Sequence, residues 1–164
     1  VRGLAVDDAH HYHVSGMQRS TAGRGWVMVR AKELTSESLI AAMKAGDFYA
    51  SSGVTLRDVR YDATSRKIEI DIAPDGDATY TTQFIGTPKN FADGRKTPLD
   101  SDQVGITLAT VEGTTASYTL KGDELYVRAI VTSSKPPKNP VWETQRQQAW
   151  TQPVGWSVGG AAAK

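Results

Sequence analysis

The chain has 164 residues, 39% hydrophobic and 23% charged, a balance that excludes collagen-like, coiled-coil and disordered classes and leaves room for one good-sized packed core. Its net charge of +1, with both signs scattered along both halves, offers no basic face to a phosphate backbone or an anionic membrane, so no nucleic acid is expected. The lack of cysteine removes disulfides, thiolate zinc sites and cysteine nucleophiles together and leaves the compartment open.

No apolar run reaches the length of a bilayer span, so no membrane crossing is expected. Val1 to Val6 has the continuous apolar look of a short strand buried on both faces, entered part-way, which leads us to expect more chain before Val1. Directly behind it stand two aspartates and all three histidines, in GLAVDDAHHYH. A small, polar loop follows over 15–25, and WVMVRA then gives a second short strand opened by Trp26. Residues 35–46 read as a helix: Thr35 suits the N-cap, Glu37 the first turn, Leu34 is placed to staple onto Leu39, and Gly46 supplies the stop. Leu39, Ile40 and Met43 form its apolar face, and Phe48 and Tyr49 are expected core aromatics.

After Gly53 the pattern changes to period two. Ile68, Ile70 and Ile72 alternate with Lys67, Glu69 and Asp71, and DGD at 75–77 follows as a turn. Further alternations run over 79–85, through Val104, Ile106 and Leu108, through Ala116, Tyr118 and Leu120, and through Leu125, Val127, Ala129 and Val131. Short strands with polar turns and no helix between them predict an antiparallel sandwich from residue 54. The Pro-, Gln- and Trp-rich tail after Lys135 reads as an irregular strap, with GGAAAK frayed at its end. The fold class is therefore α+β, mainly β: an α/β-like segment over 1–53, then a β-sandwich with a strap over 54–164.

Asp8 and His10 lie two residues apart, so at the end of an extended strand both side chains point to one side and can converge on a cation. A carboxylate with a neutral imidazole suits zinc, manganese or iron, and such centres acidify a water into a nucleophile near neutral pH. A polar loop behind a strand has the same spacing, and spacing alone leaves the two readings open.

The run GLAVDDAHHYH, with GRGWVMVRAKELTSESLIAAMKAGDFYASSGVTLRDV after it, resembles the end of a PHP (polymerase and histidinol phosphatase) metallohydrolase domain, and within that superfamily its carbaryl-hydrolase-like branch. There a last strand ends in D-A-H, a Gly-Trp loop and strand follow, and a helix leads to F-Y-A-S-x-G. The later AWTQPVGW is also similar to the ends of such proteins. The resemblance implies that Asp8 and His10 are ligands of a polynuclear centre of divalent metal; it assigns no ligand role to His11 and His13, which with Asp7 are read either as neighbours that hold those ligands from behind or as solvated loop residues. His11 and His13 form an H-x-H, but the family's own H-x-H lies at the start of the barrel, so the two are not equated. The resemblance further implies a distorted barrel with more histidine and glutamate ligands, which this chain lacks: 1–53 would be the C-terminal remnant of that domain, inactive as it stands. Its expected partner is the upstream barrel, or a second copy through the exposed N-terminal segment. The function expected is thus that of a C-terminal part of a metal-dependent phosphoesterase or related ester hydrolase; the alternative is a non-catalytic β-sandwich module that binds a carbohydrate or a protein.

Other chemistry is weaker. Ser51 and Ser52 have no G-x-S-x-G elbow and read as a turn, and the glycines show no phosphate-loop spacing. Trp26, Trp142, Trp150 and Trp156 could form a platform for sugars or a partner, but are expected to pack the strap onto the sandwich. Arg128, flanked by apolar residues in ELYVRAIV, reads as a solvated charge rather than an interdomain pair.

Overall fold

The computed structural model describes residues 2–14, 16–91 and 102–156. In chain order its elements are β1 (Trp26–Val29), α1 (Ser36–Ala45), β2 (Phe48–Ser51), β3 (Leu56–Asp62), β4 (Lys67–Ile72), β5 (Tyr80–Pro88), β6 (Ile106–Glu112), β7 (Thr115–Thr119), β8 (Glu124–Ser133) and β9 (Gln148–Thr151). Every pairing among them is antiparallel. They form a six-stranded sheet of order β1-β2-β9-β8-β5-β6 and a three-stranded sheet of order β3-β4-β7. The chain is therefore mainly β, with two antiparallel sheets facing each other across one core.

Period-two alternation builds that core. Ile68, Ile70 and Ile72 of β4 are buried while Lys67, Glu69 and Asp71 face outward, and Val127, Ala129 and Val131 of β8 answer them from the larger sheet. Each large aliphatic side chain so buried contributes about 1.5–3 kcal/mol. Phe84 of β5 stacks on Tyr118 of β7 with ring centroids 5.5 Å apart, joining the two sheets. The alternations read from the sequence at 68–72 and 125–131 lie on strands, those over 79–85 and 116–120 do so but for Thr79 and Leu120, and the one through Val104, Ile106 and Leu108 begins later than expected, because Val104 stands exposed in the turn before β6; the 75–77 turn is present.

Helix α1 forms as its caps require. Thr35 is extended and accepts a hydrogen bond from the Ser38 N–H at 3.3 Å, and Gly46 takes the left-handed conformation at φ 91° that closes the last turn. The Leu34 staple does not form: a bend over 32–35 turns that side chain out, leaving it 94% exposed. The buried face is also rotated from the expected one. Ala42 is its buried residue, flanked by half-buried Leu39 and Met43; at about 100° per residue Ile40 falls at the edge and is exposed.

Two strand expectations are corrected. No strand forms over 2–6, and Val1, the first residue of the expected strand, lies outside the described residues. Leu4 and Val6 are exposed; β2 already pairs with β1 on one side and β9 on the other, so the segment has no place beside β2. It lies instead on the sandwich: the Gln152 side chain accepts from Gly3 N–H at 3.0 Å and donates to Gly3 C=O at 2.8 Å, and Arg2 donates to the Lys44 and Ala45 carbonyls at the end of α1. Conversely, the strap is not wholly irregular. Its residues 148–151 form β9, which inserts between β2 and β8 and ties the early strands β1 and β2 to the rest of the sheet. The expected fraying of GGAAAK falls outside the described residues.

Candidate functional site

The segment 7–13 is irregular but pinned. The Asp7 carboxylate accepts three backbone N–H groups, from Gly23 at 2.8 Å, Arg24 at 2.6 Å and Gly25 at 2.8 Å. Those bonds, Gly25 and Gly23 foremost, hold its carboxyl below the usual carboxylate range against the opposing effect of burial. Glycine is needed in that concavity at Gly23, where φ is +81°, a conformation costly to residues with a Cβ. On the far side of the segment the N–H groups of His10 and His11 both donate to the Ser20 carbonyl at 2.8 Å, and Ser20 N–H donates back to His11 Nδ1 at 3.1 Å. His11 is thereby left with only Nε2 free.

This framework places the candidate ligands. Asp8 adopts φ 48°, and its Oδ1 comes within 3.9 Å of His10 Nε2, with both side chains well exposed. That is too long for a hydrogen bond and close to the roughly 3.4 Å spacing of two donors on a tetrahedral cation with bonds near 2.1 Å. The convergence comes from a left-handed turn at Asp8 rather than from the expected strand alternation. His13 is exposed in the bend at 12–13, while Tyr12 donates to the Ala9 carbonyl at 2.9 Å and closes the segment locally. Among the described residues no group of three or more histidine, cysteine, aspartate or glutamate side chains could hold a metal ion. Asp8 and His10 are a donor pair that fits part of a divalent-metal shell and does not complete one.

The loop 16–25 that carries the Asp7 cradle is itself docked on the tail. Asn139 bonds to the Thr21 hydroxyl, Arg24 Nη2 donates to the Pro140 carbonyl at 3.4 Å, and Gln18 N–H donates to the Val141 carbonyl at 3.1 Å. No protein-family model, curated protein or solved structure matches this chain. What can be read of its chemistry comes from its own residues.

The remaining sequence candidates fall as follows. Ser51 is buried and its hydroxyl donates to the Val54 carbonyl at 2.7 Å, which is the turn role expected of it. The tryptophans do not simply pack the strap: Trp142 and Trp156 are about half exposed and Trp26 is exposed at the sheet edge. Trp150, on the outer face of β9, lines a groove together with Trp156 and Arg128. Arg128 is half-buried in that groove, which corrects its reading as a freely solvated charge. The sequence signal for it was present: a lone arginine at an outward position of an otherwise apolar strand. No helix among the described residues is long and apolar enough to cross a membrane.

Proposed function

We propose that this chain is the C-terminal part of a metal-dependent hydrolase of the PHP type, acting on a phosphoester or related ester, in which Asp8 and His10 are ligands contributed to a divalent-metal centre. The observation that carries this reading is the convergence of Asp8 Oδ1 and His10 Nε2 on one point of solvent from a segment braced on both sides by Asp7 and Ser20. Asp7 orients the segment through the 23–25 backbone, and His11, with Nδ1 engaged, positions the same stretch from the other side. The chemistry a cation supplies there is acidification of a water to a nucleophile near neutral pH. The other ligands belong to the barrel that the resemblance implies.

Two measurements test this. The reading frame upstream of the Val1 codon is expected to encode H-x-H, Glu and His ligand motifs, and its full-length product to hydrolyse p-nitrophenyl phosphate with zinc or manganese, losing activity and stoichiometric metal in His10→Ala. An upstream frame without such motifs, or full activity and metal retained in His10→Ala, would sink the proposal. A second reading, a non-catalytic sandwich module that binds a partner or a carbohydrate, is favoured by the tryptophan-lined groove; it predicts binding by this chain with no dependence on His10.

A further inference from the structure

The groove on the outer face of the six-stranded sheet has a volume of about 740 Å³, within the range of small-molecule sites. Strand alternation makes it. Val127 and Ala129 of β8 are fully buried in the core, so Tyr126 and Arg128 project to the other side; Trp150 of β9 and Ala50 of β2 lie alongside, and Leu4 and Trp156 rise at the margins. Its walls are thus aliphatic and aromatic, while the Tyr126 hydroxyl is already engaged with the Thr87 hydroxyl at 3.3 Å. Arg128 is the one charged lining residue, and among the described residues it makes no hydrogen bond or ion pair.

A guanidinium carries five donors in a planar fork that matches a carboxylate. Left half-buried among indole and aliphatic carbons, it is partly stripped of water without compensation, so an anion delivered there gains more than at an open surface. Flat apolar walls favour an aromatic or branched hydrocarbon body beside that anion. A neutral sugar fits less well: it brings no charge to Arg128 and many hydroxyls that these walls cannot satisfy. We propose that this groove binds a small organic anion, a carboxylate carried on a flat apolar body, with Arg128 as the anion contact and Trp150 and Trp156 as the apolar clamp. This holds whether or not Asp8 and His10 bind metal.

The test is titration of the full chain with 3-phenylpropanoate and with its uncharged analogue 3-phenylpropanamide, read by tryptophan fluorescence and by indole NMR resonances. The acid is expected to bind about tenfold more tightly than the amide, the size of a charge-assisted hydrogen bond. Arg128→Gln, on the outer sheet face and checked for an unchanged melting temperature, is expected to erase that preference while leaving amide binding; Trp150→Ala is expected to weaken both. The proposal is overturned by equal affinities in the unmodified chain, by no response to either probe at millimolar concentration, or by an acid preference that survives Arg128→Gln. It is equally overturned if the groove proves already filled, either by a second copy in sedimentation measurements or by residues 157–164, with probe binding appearing only after their removal.

Discussion

Tyr118 donates a 2.7 Å hydrogen bond to Glu124 Oε1 inside the sandwich, tying β7 to the start of β8 across the turn that joins them. Lys121 N–H adds to the same oxygen at 3.1 Å and Gly122 N–H reaches Oε2 at 2.9 Å. Burial pushes the Glu124 carboxyl up, but these donors outweigh it and hold it at about 2; burial and the same carboxylate push the Tyr118 hydroxyl up. Glu124 is thus a buried anion satisfied by its own turn.

The sign of the pH effect follows. A carboxyl whose folded value lies below its ordinary 4.5 stabilises the fold fully above that pH, and the contribution drains away as pH falls toward 2. Tyr118→Phe is expected to lower stability at pH 7 by about 1.5–3 kcal/mol, the worth of a hydrogen bond to a charged group. It should also flatten the loss between pH 5 and 2. Urea unfolding at a series of pH values measures both; an unchanged slope would show that the turn amides alone set the carboxyl.

Asp7 offers a local version of the same argument. Replacing it with alanine removes the acceptor of three backbone N–H groups without touching the core. Hydrogen exchange at residues 23–25 is expected to speed up by at least about tenfold, with the global unfolding midpoint nearly unchanged, because loop opening and global unfolding are separate events. The same amides in the unmodified chain should loosen only when pH drops below the ordinary carboxylate range, since the Asp7 carboxyl is held below it.

Gln152 links the two ends of the described chain through its paired bonds to Gly3. Gln152→Ala is expected to release the segment 2–6 and make it the first site of limited proteolysis, while the two-sheet body stays intact. Cleavage beginning instead in the 63–66 or 113–114 turns would contradict this.

Gly86 of β5 pairs with Val127 of β8. A Cβ there would lie 2.6 Å from the Tyr126 carbonyl oxygen and 2.7 Å from Leu108 Cδ1, and the first of these is backbone that cannot swing aside. Gly86→Ala is expected to cost about 1–3 kcal/mol by forcing the strands apart. Thermal unfolding reads it directly, and a neutral result would mean that β5 shifts freely in its register.

Much of this was legible in the sequence, and the reasons are local. The alternation of Ile68, Ile70 and Ile72 leaves one apolar face that must be covered, so β4 follows from period alone; Thr35 and Gly46 bracket α1 because each satisfies backbone groups within its own turn. The misses share an opposite cause. Val1 to Val6 has a strand's composition, but its described residues 2–6 found no open position beside β2, whereas QAWT, with weak alternation and a proline two residues beyond it, became a strand because β2 and β8 each offered it a partner. Pairing with distant residues carries no local signature.

The candidate sites divide in the same way. The sequence by itself determined that a carboxylate and an imidazole stand two residues apart at Asp8 and His10, and that Arg128 interrupts an apolar strand, since spacing and alternation are properties of the chain. Only the tertiary structure decided that Asp7 would spend its carboxylate on the 23–25 backbone, that a left-handed Asp8 would turn its side chain toward His10, and that Arg128 would meet Trp150 and Trp156 in one groove. Those outcomes depend on which segments lie side by side once β9 has inserted between β2 and β8, and burial of the whole core, not any short stretch, selects that arrangement.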